Sequence, residues 1–279
     1  MNFVKLAEFM NMPFRASPNP RANVLGVGIS AVDLPGAVKA IEEAARAGTP
    51  GYVCVTSVHG VMEAQRDPEF KRILSRAFLT TPDGMPTVWI GRLQGHSHMR
   101  RVFGPDLMTE ICGRAPQNQF RHFLYGGNPG VADQLGSTLQ QKHPALKIVG
   151  TFTPPFRPLN SSEERALQQA FEQSRPDIVW VGLSTPKQER FMAEYIGRLP
   201  CKIMIGVGAA FDIHTGRVKD APSWVKNSGL QWAHRFCQEP RRLWRRYLVN
   251  NSAFLGALGL QLAGLRRYPL PPNHTDIPS

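Results

Sequence analysis

Short apolar runs alternate with amphipathic stretches along most of the chain. "NVLGVGISAV" (23–32) reads as a strand and "DLPGAVKAIEEAARAG" (33–48) as a helix, with Asp33 at its N-cap and Pro35 in its first turn. "GYVCVTSV" (51–58) reads as a second buried strand and "DPEFKRILSRA" (67–77) as a second helix. A strand-like run from Phe78 ends in Thr-Pro-Asp-Gly, and the residues up to Gly95 follow as an amphipathic helix. Later strands are predicted at 120–126, 146–152, 177–183 and 201–208, and later helices at 130–142, 161–174 and 187–199. Short β-rich runs separated by helices are the pattern of βαβ units. The predicted fold is therefore α/β, a mostly parallel sheet with helices on both faces, with a basic helical C-terminal appendage.

The appendage is marked by charge. The chain has 33 Lys+Arg against 21 Asp+Glu, a net +12 over 279 residues. Ten of those basic residues and only Asp220 and Glu239 among the acidic ones lie between Arg217 and Arg267. A surplus of that kind calls for an anionic partner. Trp224, Trp232 and Trp244 sit among these charges, and the apolar segment "SAFLGALGLQLAGL" (252–265) follows them. That segment is shorter than the roughly 20 apolar residues a bilayer span needs. Cations, tryptophans and a short apolar stretch suit a helix lying on an anionic membrane surface, with Arg235, Arg241, Arg242, Trp244, Arg245 and Arg246 as the contact residues. A basic helix packed on the core or docked in a dimer is the alternative, so a homo-oligomer stays open. The resulting division is a leader (1–23), an α/β catalytic core (24–216), a membrane-associating appendage (217–267) and a flexible tail (268–279).

Cysteine usage and the N-terminus bound the compartment. Cys54, Cys112, Cys201 and Cys237 form no C-x-x-C pair, which argues against a zinc knuckle or a disulfide scaffold and fits a reducing cytoplasm. The first residues show no sustained apolar core with a cleavage site, so no secretion signal is read.

Several corners carry candidate chemistry. Asp83 stands where a strand gives way to a helix, the place an α/β protein uses for a reacting group, although an Asp there also serves as a plain helix cap. "GVGISA" (26–31) matches G-x-G-x-x-A, but the helix starts only at Asp33–Pro35, so these glycines fall in the strand and not at a helix N-terminus. "YGGNPG" (125–130) is better placed: Gly126 and Gly127 would let a phosphate approach the amides of the next helix, or form an ordinary turn. "VGLSTPKQER" (181–190) puts Lys187, Gln188 and Glu189 at another helix start, and "IGVGAAFDIHTG" (205–216) ends a strand in glycines and carries Asp212. There is no D-x-D and no H-x-x-x-H or H-E-x-x-H pair, so neither a catalytic metal nor a cofactor is expected.

Taken in order, "TPDGMPTVW…RVFGPDLM", "LYGGNPGVA", "VGLSTPKQERF", "GVGAAFDIHTGRV" and "APSWVKNSGLQWAHRFCQEPRRLWRRYL" resemble the WecG/TagA/CpsF glycosyltransferases, glycosyltransferase family 26, over about residues 24–249. The resemblance implies an inverting, metal-independent enzyme that moves a sugar from a UDP-sugar donor to a polyprenyl-diphosphate-linked saccharide in surface polysaccharide (exopolysaccharide or cell-wall polymer) synthesis. It implies Asp83, flanked by Pro82 and Gly84, as general base. It implies a substrate pocket from Arg101, Gly104 and Asp106 of "RVFGPD", Gly126 and Gly127, Lys187, Gln188 and Glu189, and Gly208, Phe211 and Asp212. Relatives carry T-x-N at the end of the second strand; here the stretch is "VTSVHG", with Thr56 kept and Ser57 at the Asn position. His59 either takes over the polar role or only enters the helix. Relatives often have Arg-Ala-Pro where this chain has Asp220-Ala221-Pro222. The expected location is the cytoplasmic face of a bacterial cell membrane, held peripherally. The competing readings are a basic nucleic-acid-binding protein, for which no RRM, KH or helix-turn-helix pattern is found, and a nucleotide-sugar oxidoreductase or epimerase, which needs a true dinucleotide fingerprint.

Overall fold

The computed structural model describes residues 19–271, with the backbone alone described for Ser223, Asn227, Arg242, Arg245, Arg246 and Tyr247. Most of the predicted leader and the end of the predicted tail lie outside the described residues.

The chain opens with a hairpin, where a single strand was expected over 23–32. Strands β1 (Arg21–Val24) and β2 (Val27–Ser30) pair antiparallel, with Val24 opposite Val27. Leu25 and Gly26, at φ 53° and 73°, make the two-residue turn. Left-handed backbone is unfavourable for Leu, and no Asn-Gly signal marked the turn. Burial of the Leu25 side chain offsets that cost, and its backbone is tied by side chains: Gln261 Oε1 accepts from Leu25 N at 3.1 Å, and Gln65 Nε2 donates to Leu25 O at 2.9 Å.

Regular alternation follows. Helix α1 (Leu34–Ala47) is capped as expected, with Asp33 Oδ1 accepting from Gly36 N at 2.9 Å. Then come β3 (Gly51–Thr56), α2 (Val58–Arg66), α3 (Pro68–Arg76), β4 (Leu79–Pro82) and α4 (Met85–Leu93). Asp67 caps α3 by accepting from Glu69 N and Phe70 N, and Pro68 opens its first turn. Helix α2 was not predicted. It begins where the second strand was expected to end, and buries Val61, Met62 and Ala64. Next are α5 (Gly104–Gly113), α6 (Ala115–Asn118), β5 (Arg121–Gly126), α7 (Val131–Lys142), β6 (Lys147–Phe152), α8 (Ser161–Ser174), β7 (Ile178–Gly182), α9 (Lys187–Tyr195), β8 (Ile203–Gly206) and α10 (Ala210–His214). A capping box of Asn160 and Glu163 starts α8. The basic region forms α11 (Ser223–Asn227), α12 (Gln231–Gln238) and α13 (Pro240–Leu262). The arginine cluster and the apolar segment, read in sequence as successive features, share the one helix α13.

Six strands lie in the order β4-β3-β8-β7-β5-β6, and the pairs β3–β8, β7–β8, β5–β7 and β5–β6 are parallel. The α/β class with a mostly parallel sheet and a C-terminal helical region is thus the observed one.

The chain divides into two compact units. Within the described residues, the first comprises Val38–Cys54 and Gly104–Val218. Its core is built on the strands: Val53, Phe123, Leu124, Val179, Trp180, Ile203 and Ile205 are buried. Each such side chain contributes about 1.5–3 kcal/mol relative to an exposed one. The second unit comprises residues 19–37, Val55–Phe103 and residues from Lys219 onward. Its hairpin packs on β4, α3 and α4, and α13 packs on α2. Helix α13 buries a stripe of Leu243, Asn250 and Phe254, while Leu248, Val249, Leu255 and Leu262 stay more than half exposed. No helix among the described residues is long and apolar enough to cross a membrane.

Candidate active site

In the second unit a cavity of about 490 Å³ opens where β3 and β4 end. Asp83 lines it, one residue beyond β4. Its backbone is held on both sides: Asp83 N donates to Thr56 O at 3.0 Å, and Val102 N donates to Pro82 O at 2.9 Å. The N-cap position of α4 is Gly84, at φ 131°, and Thr87 Oγ1 donates to Gly84 O at 2.9 Å. Asp83 therefore stands outside the cap position itself and among the residues that line the cavity. Ser57, the N-cap of α2, and His59, in its first turn, join the same lining, and Thr56 at the end of β3 is buried.

The charge of the lining is one-sided. Against the single carboxylate of Asp83 stand Arg101, Lys226 and Arg235. Arg101 Nη1 donates to Gln231 Oε1 at 2.8 Å, and its guanidinium lies 4.6 Å over the Phe103 ring. Lys226 Nζ lies 5.4 Å from the same ring centre and pairs with Asp220. The acidic departure noted in the sequence thus finds a partner in a cavity lysine. Arg235 Nη2 reaches Glu239 at 3.4 Å, while its buried Nε–H has no partner among the described residues. The apolar wall includes Met85, Trp89, Phe103, Trp232, Leu248 and Phe254. Trp89 packs so close to Gly229 that a Cβ there would meet its ring at 2.9 Å.

Other lining groups were not singled out in the sequence. Asn250 comes from α13, donates to His59 Nδ1 at 3.0 Å, and accepts from Arg66 Nη2 at 2.6 Å. Its signal was present: the pair Asn250-Asn251 interrupts an otherwise apolar run on an amphipathic helix. Gln231 and Trp89 carried no comparable mark. Of the predicted membrane contacts, Arg235 lines the cavity, whereas Arg241 and Trp244 are exposed on α13.

The first unit brings together a different part of the predicted set. Gly126 ends β5 and Gly127 N donates to Gly182 O at 3.1 Å at the end of β7. At φ 121°, Gly126 presses so close that a Cβ would meet Gly182 O at 2.6 Å, and Phe211 packs against both Gly127 and Gly182. Gln188 and Glu189 are buried in the first turn of α9, whereas Lys187 is exposed. Gln188 Oε1 accepts from Gly208 N at 3.0 Å, and its Nε2 donates to Glu189 Oε1 at 3.0 Å. Thr185 Oγ1 donates to that same Glu189 oxygen at 2.8 Å. Gln188 thus holds the glycine loop after β8 in place. Gly104 packs on Val207, and Asp106 and Asp212 are half-buried in the first turns of α5 and α10. The glycines at 26 and 28, by contrast, belong to the β1–β2 hairpin and open no helix, so the dinucleotide fingerprint has no structural basis. Among the described residues no three His, Cys, Asp or Glu side chains gather as a metal site.

Glycine-bordered ends of parallel strands in the first unit, and in the second a cavity lined by three cations and one carboxylate, are features that α/β enzymes use to bind ligands. The model of the WecG/TagA/CpsF glycosyltransferase family matches residues 22–268. The chain is similar to two N-acetylglucosaminyldiphosphoundecaprenol N-acetyl-beta-D-mannosaminyltransferases. That of Bacillus subtilis strain 168 is 31% identical over 213 residues, covering 76% of this chain and 81% of the relative. That of Bacillus spizizenii strain W23 is 32% identical over 186 residues, covering 67% and 70%. The chain belongs to the WecG/TagA/CpsF family and is a glycosyltransferase.

Proposed function

We propose that this glycosyltransferase moves a sugar from a UDP-sugar to a polyprenyl-diphosphate-linked saccharide, with inversion and without a metal, in surface polysaccharide synthesis. The observation that carries the reading is the position of Asp83, the single carboxylate among the lining residues of a cavity that also presents Arg101, Lys226, Arg235 and several aromatic groups, on backbone held at both flanks. A general base must reach the hydroxyl it deprotonates, and a diphosphate departing without a metal needs cations to stabilise its charge. Arg101, Lys226 and Arg235 meet that need.

In this mechanism the acceptor hydroxyl oxygen attacks the anomeric carbon and Asp83 takes its proton. The bond from that carbon to the diphosphate oxygen breaks, and its electron pair leaves on UDP. One displacement inverts the centre. The relatives' names specify a β-linked product, which agrees with inversion from an α-linked nucleotide sugar. The Gly126–Gly127 turn and the Gly208 loop held by Gln188 are assigned to the donor, since ligands of α/β folds bind beyond the carboxyl ends of the parallel strands. The sugar is an N-acetylmannosamine-type or a uronic-acid residue, and the acceptor resembles the relatives' N-acetylglucosaminyl-diphospholipid.

The exposed apolar residues of α13, with Arg241, Arg242, Arg245 and Arg246 on the same helix, support peripheral docking on an anionic membrane, where the lipid acceptor resides. The division into core and appendage is retained as a functional one, the appendage bringing the cavity to the membrane. A panel of UDP-sugars with a polyprenyl-diphosphate-linked acceptor, read by UDP release, tests the reaction. Release from one or more donors only when acceptor is present supports it.

A further inference from the structure

We propose that the apolar wall of the Asp83 cavity is a subsite for the isoprenoid chain of the lipid acceptor, with Trp89 of α4 and Leu248 and Leu255 of α13 holding the first units beyond the diphosphate. The proposal rests on the reading of that cavity as the acceptor site, and adds where the lipid runs.

Charge and apolar surface meet at one ring. The Arg101 guanidinium lies 4.6 Å over Phe103, and Lys226 Nζ lies 5.4 Å from the centre of the same ring. A diphosphate beside these cations has the apolar wall next to it. A polyprenyl diphosphate carries the same abrupt junction, charged phosphates joined directly to hydrocarbon. From Phe103 the wall grades outward: Phe103 and Phe254 are buried, Trp89 is half-exposed, and Leu248 and Leu255 are exposed further still. All of them line the cavity. Large apolar side chains left open at the mouth of a charged cavity mark a surface that an apolar ligand covers.

Helical spacing extends that wall. Leu248 and Leu255 are seven residues apart, hence on one face of α13, and the exposed Leu262 follows at the same interval. At a rise of 1.5 Å per residue the three leucines span about 21 Å, a track long enough for several isoprene units in line. Val249 is exposed as well, but it stands about 100° further round the helix and is not part of the cavity lining. Helix α13 thus presents two apolar faces, one continuous with the cavity wall and one turned away from it. The outer face can meet a flat bilayer. The cavity face suits a single chain.

The test is binding without a bilayer. N-acetylglucosaminyl diphosphate esterified with a methyl, geranyl or geranylgeranyl group is titrated into the full chain by calorimetry, below the concentrations at which the esters form micelles. Affinity should rise with chain length, by about tenfold or more from methyl to geranylgeranyl. Leu248→Ser combined with Leu255→Ser should lose about tenfold for the geranylgeranyl ester and little for the methyl ester. Both side chains are largely exposed, so the fold should be retained, which thermal unfolding checks, and either substitution alone should show part of the loss. Val249→Ser should bind all the esters as wild type does. Equal affinity of the wild type for all the esters, a chain-length gain that the double variant keeps, or a loss in Val249→Ser as large as in the double variant would overturn the proposal. So would a gain that appears only when liposomes are added, for the cavity rim would then be a membrane contact. Tightest binding of the longest ester with no UDP-sugar turned over would contradict the proposed reaction and support the lipid subsite.

Discussion

The backbone amide of Asp83 donates to the carbonyl oxygen of Thr56 across 3.0 Å, which ties the exit of β4 to the end of β3. With Pro82 O accepting from Val102 N on the other side, the carboxylate is carried on backbone fixed at both flanks. Groups held in this way reach the reacting atoms without a loop movement, which is how geometry is converted into rate. The glycine after it completes the corner, because at φ 131° a residue with a Cβ would be strained.

The glycine junction of the first unit has a stability signature. Gly126→Ala must accommodate both a left-handed φ and a Cβ placed 2.6 Å from Gly182 O, whereas Gly130→Ala, at φ 78°, meets nothing within 4 Å. Strained backbone costs of order 1–3 kcal/mol. Gly126→Ala should therefore be the more destabilised of the two in urea unfolding and should bind UDP more weakly. Equal midpoints for the two variants would show that the β5–β7 junction is not tight.

A buried histidine gives the fold a pH dependence. Trp180 Nε1 donates to His122 Nδ1 at 3.0 Å, and burial pushes the His122 pKa down to about 4, with Asp177 opposing the shift. The unfolded chain then binds a proton that the folded one refuses. His122 stability is present in full above about pH 6.5 and is lost as pH falls from there toward 4. A shift of that size corresponds to roughly 3 kcal/mol at most. Chemical denaturation from neutral pH to about pH 4 should show a shallower fall in stability for His122→Gln than for wild type. Parallel curves would remove His122 as the cause.

The readable part of this protein was the part with periodicity and caps. Asp33 marks a helix start that the structure keeps, and the parallel strands were visible as short apolar runs. The hairpin at Leu25–Gly26 was not, because a buried leucine in left-handed backbone is selected by tertiary packing. Helix α2 was missed because Thr56, Ser57 and Val58 read as continuing strand, although Ser57 is its N-cap. At the site, Asp83 and the glycine corners stood out by their place after strands. Asn250, Arg66 and Gln231 act through long-range contacts over more than 100 residues, which one sequence cannot display.

The basic helix is expected to hold the enzyme on anionic membranes. Each arginine near such a surface is worth about 1 kcal/mol, and the attraction falls with salt. Replacing Arg241, Arg242, Arg245 and Arg246 together by Gln should weaken flotation with anionic liposomes and flatten its salt dependence, with neutral liposomes little changed. Substitution is a cleaner test than truncation after Asp220, because Leu243, Asn250 and Phe254 are packed into the second unit and their loss would unfold it. Unchanged flotation would place the membrane contact elsewhere.

Transfer should persist in excess EDTA, because arginines, Lys226 and backbone amides supply the charge that a metal otherwise provides to departing diphosphate. The measurement is UDP release before and after chelation and after adding back magnesium or manganese. Activity lost on chelation and restored by either ion would contradict the metal-free mechanism.

The most direct measurement compares wild type with Asp83→Asn in transfer from a UDP-sugar to a polyprenyl-diphosphate-linked acceptor, with UDP affinity and thermal unfolding followed in parallel. The substitution keeps shape and removes only the basicity, so the fold and UDP binding should be retained. The rate should fall roughly 10²–10⁴-fold, the contribution of a general base. Turnover by Asp83→Asn at the wild-type rate would contradict the account, for the proton of the acceptor hydroxyl would then be leaving by another route.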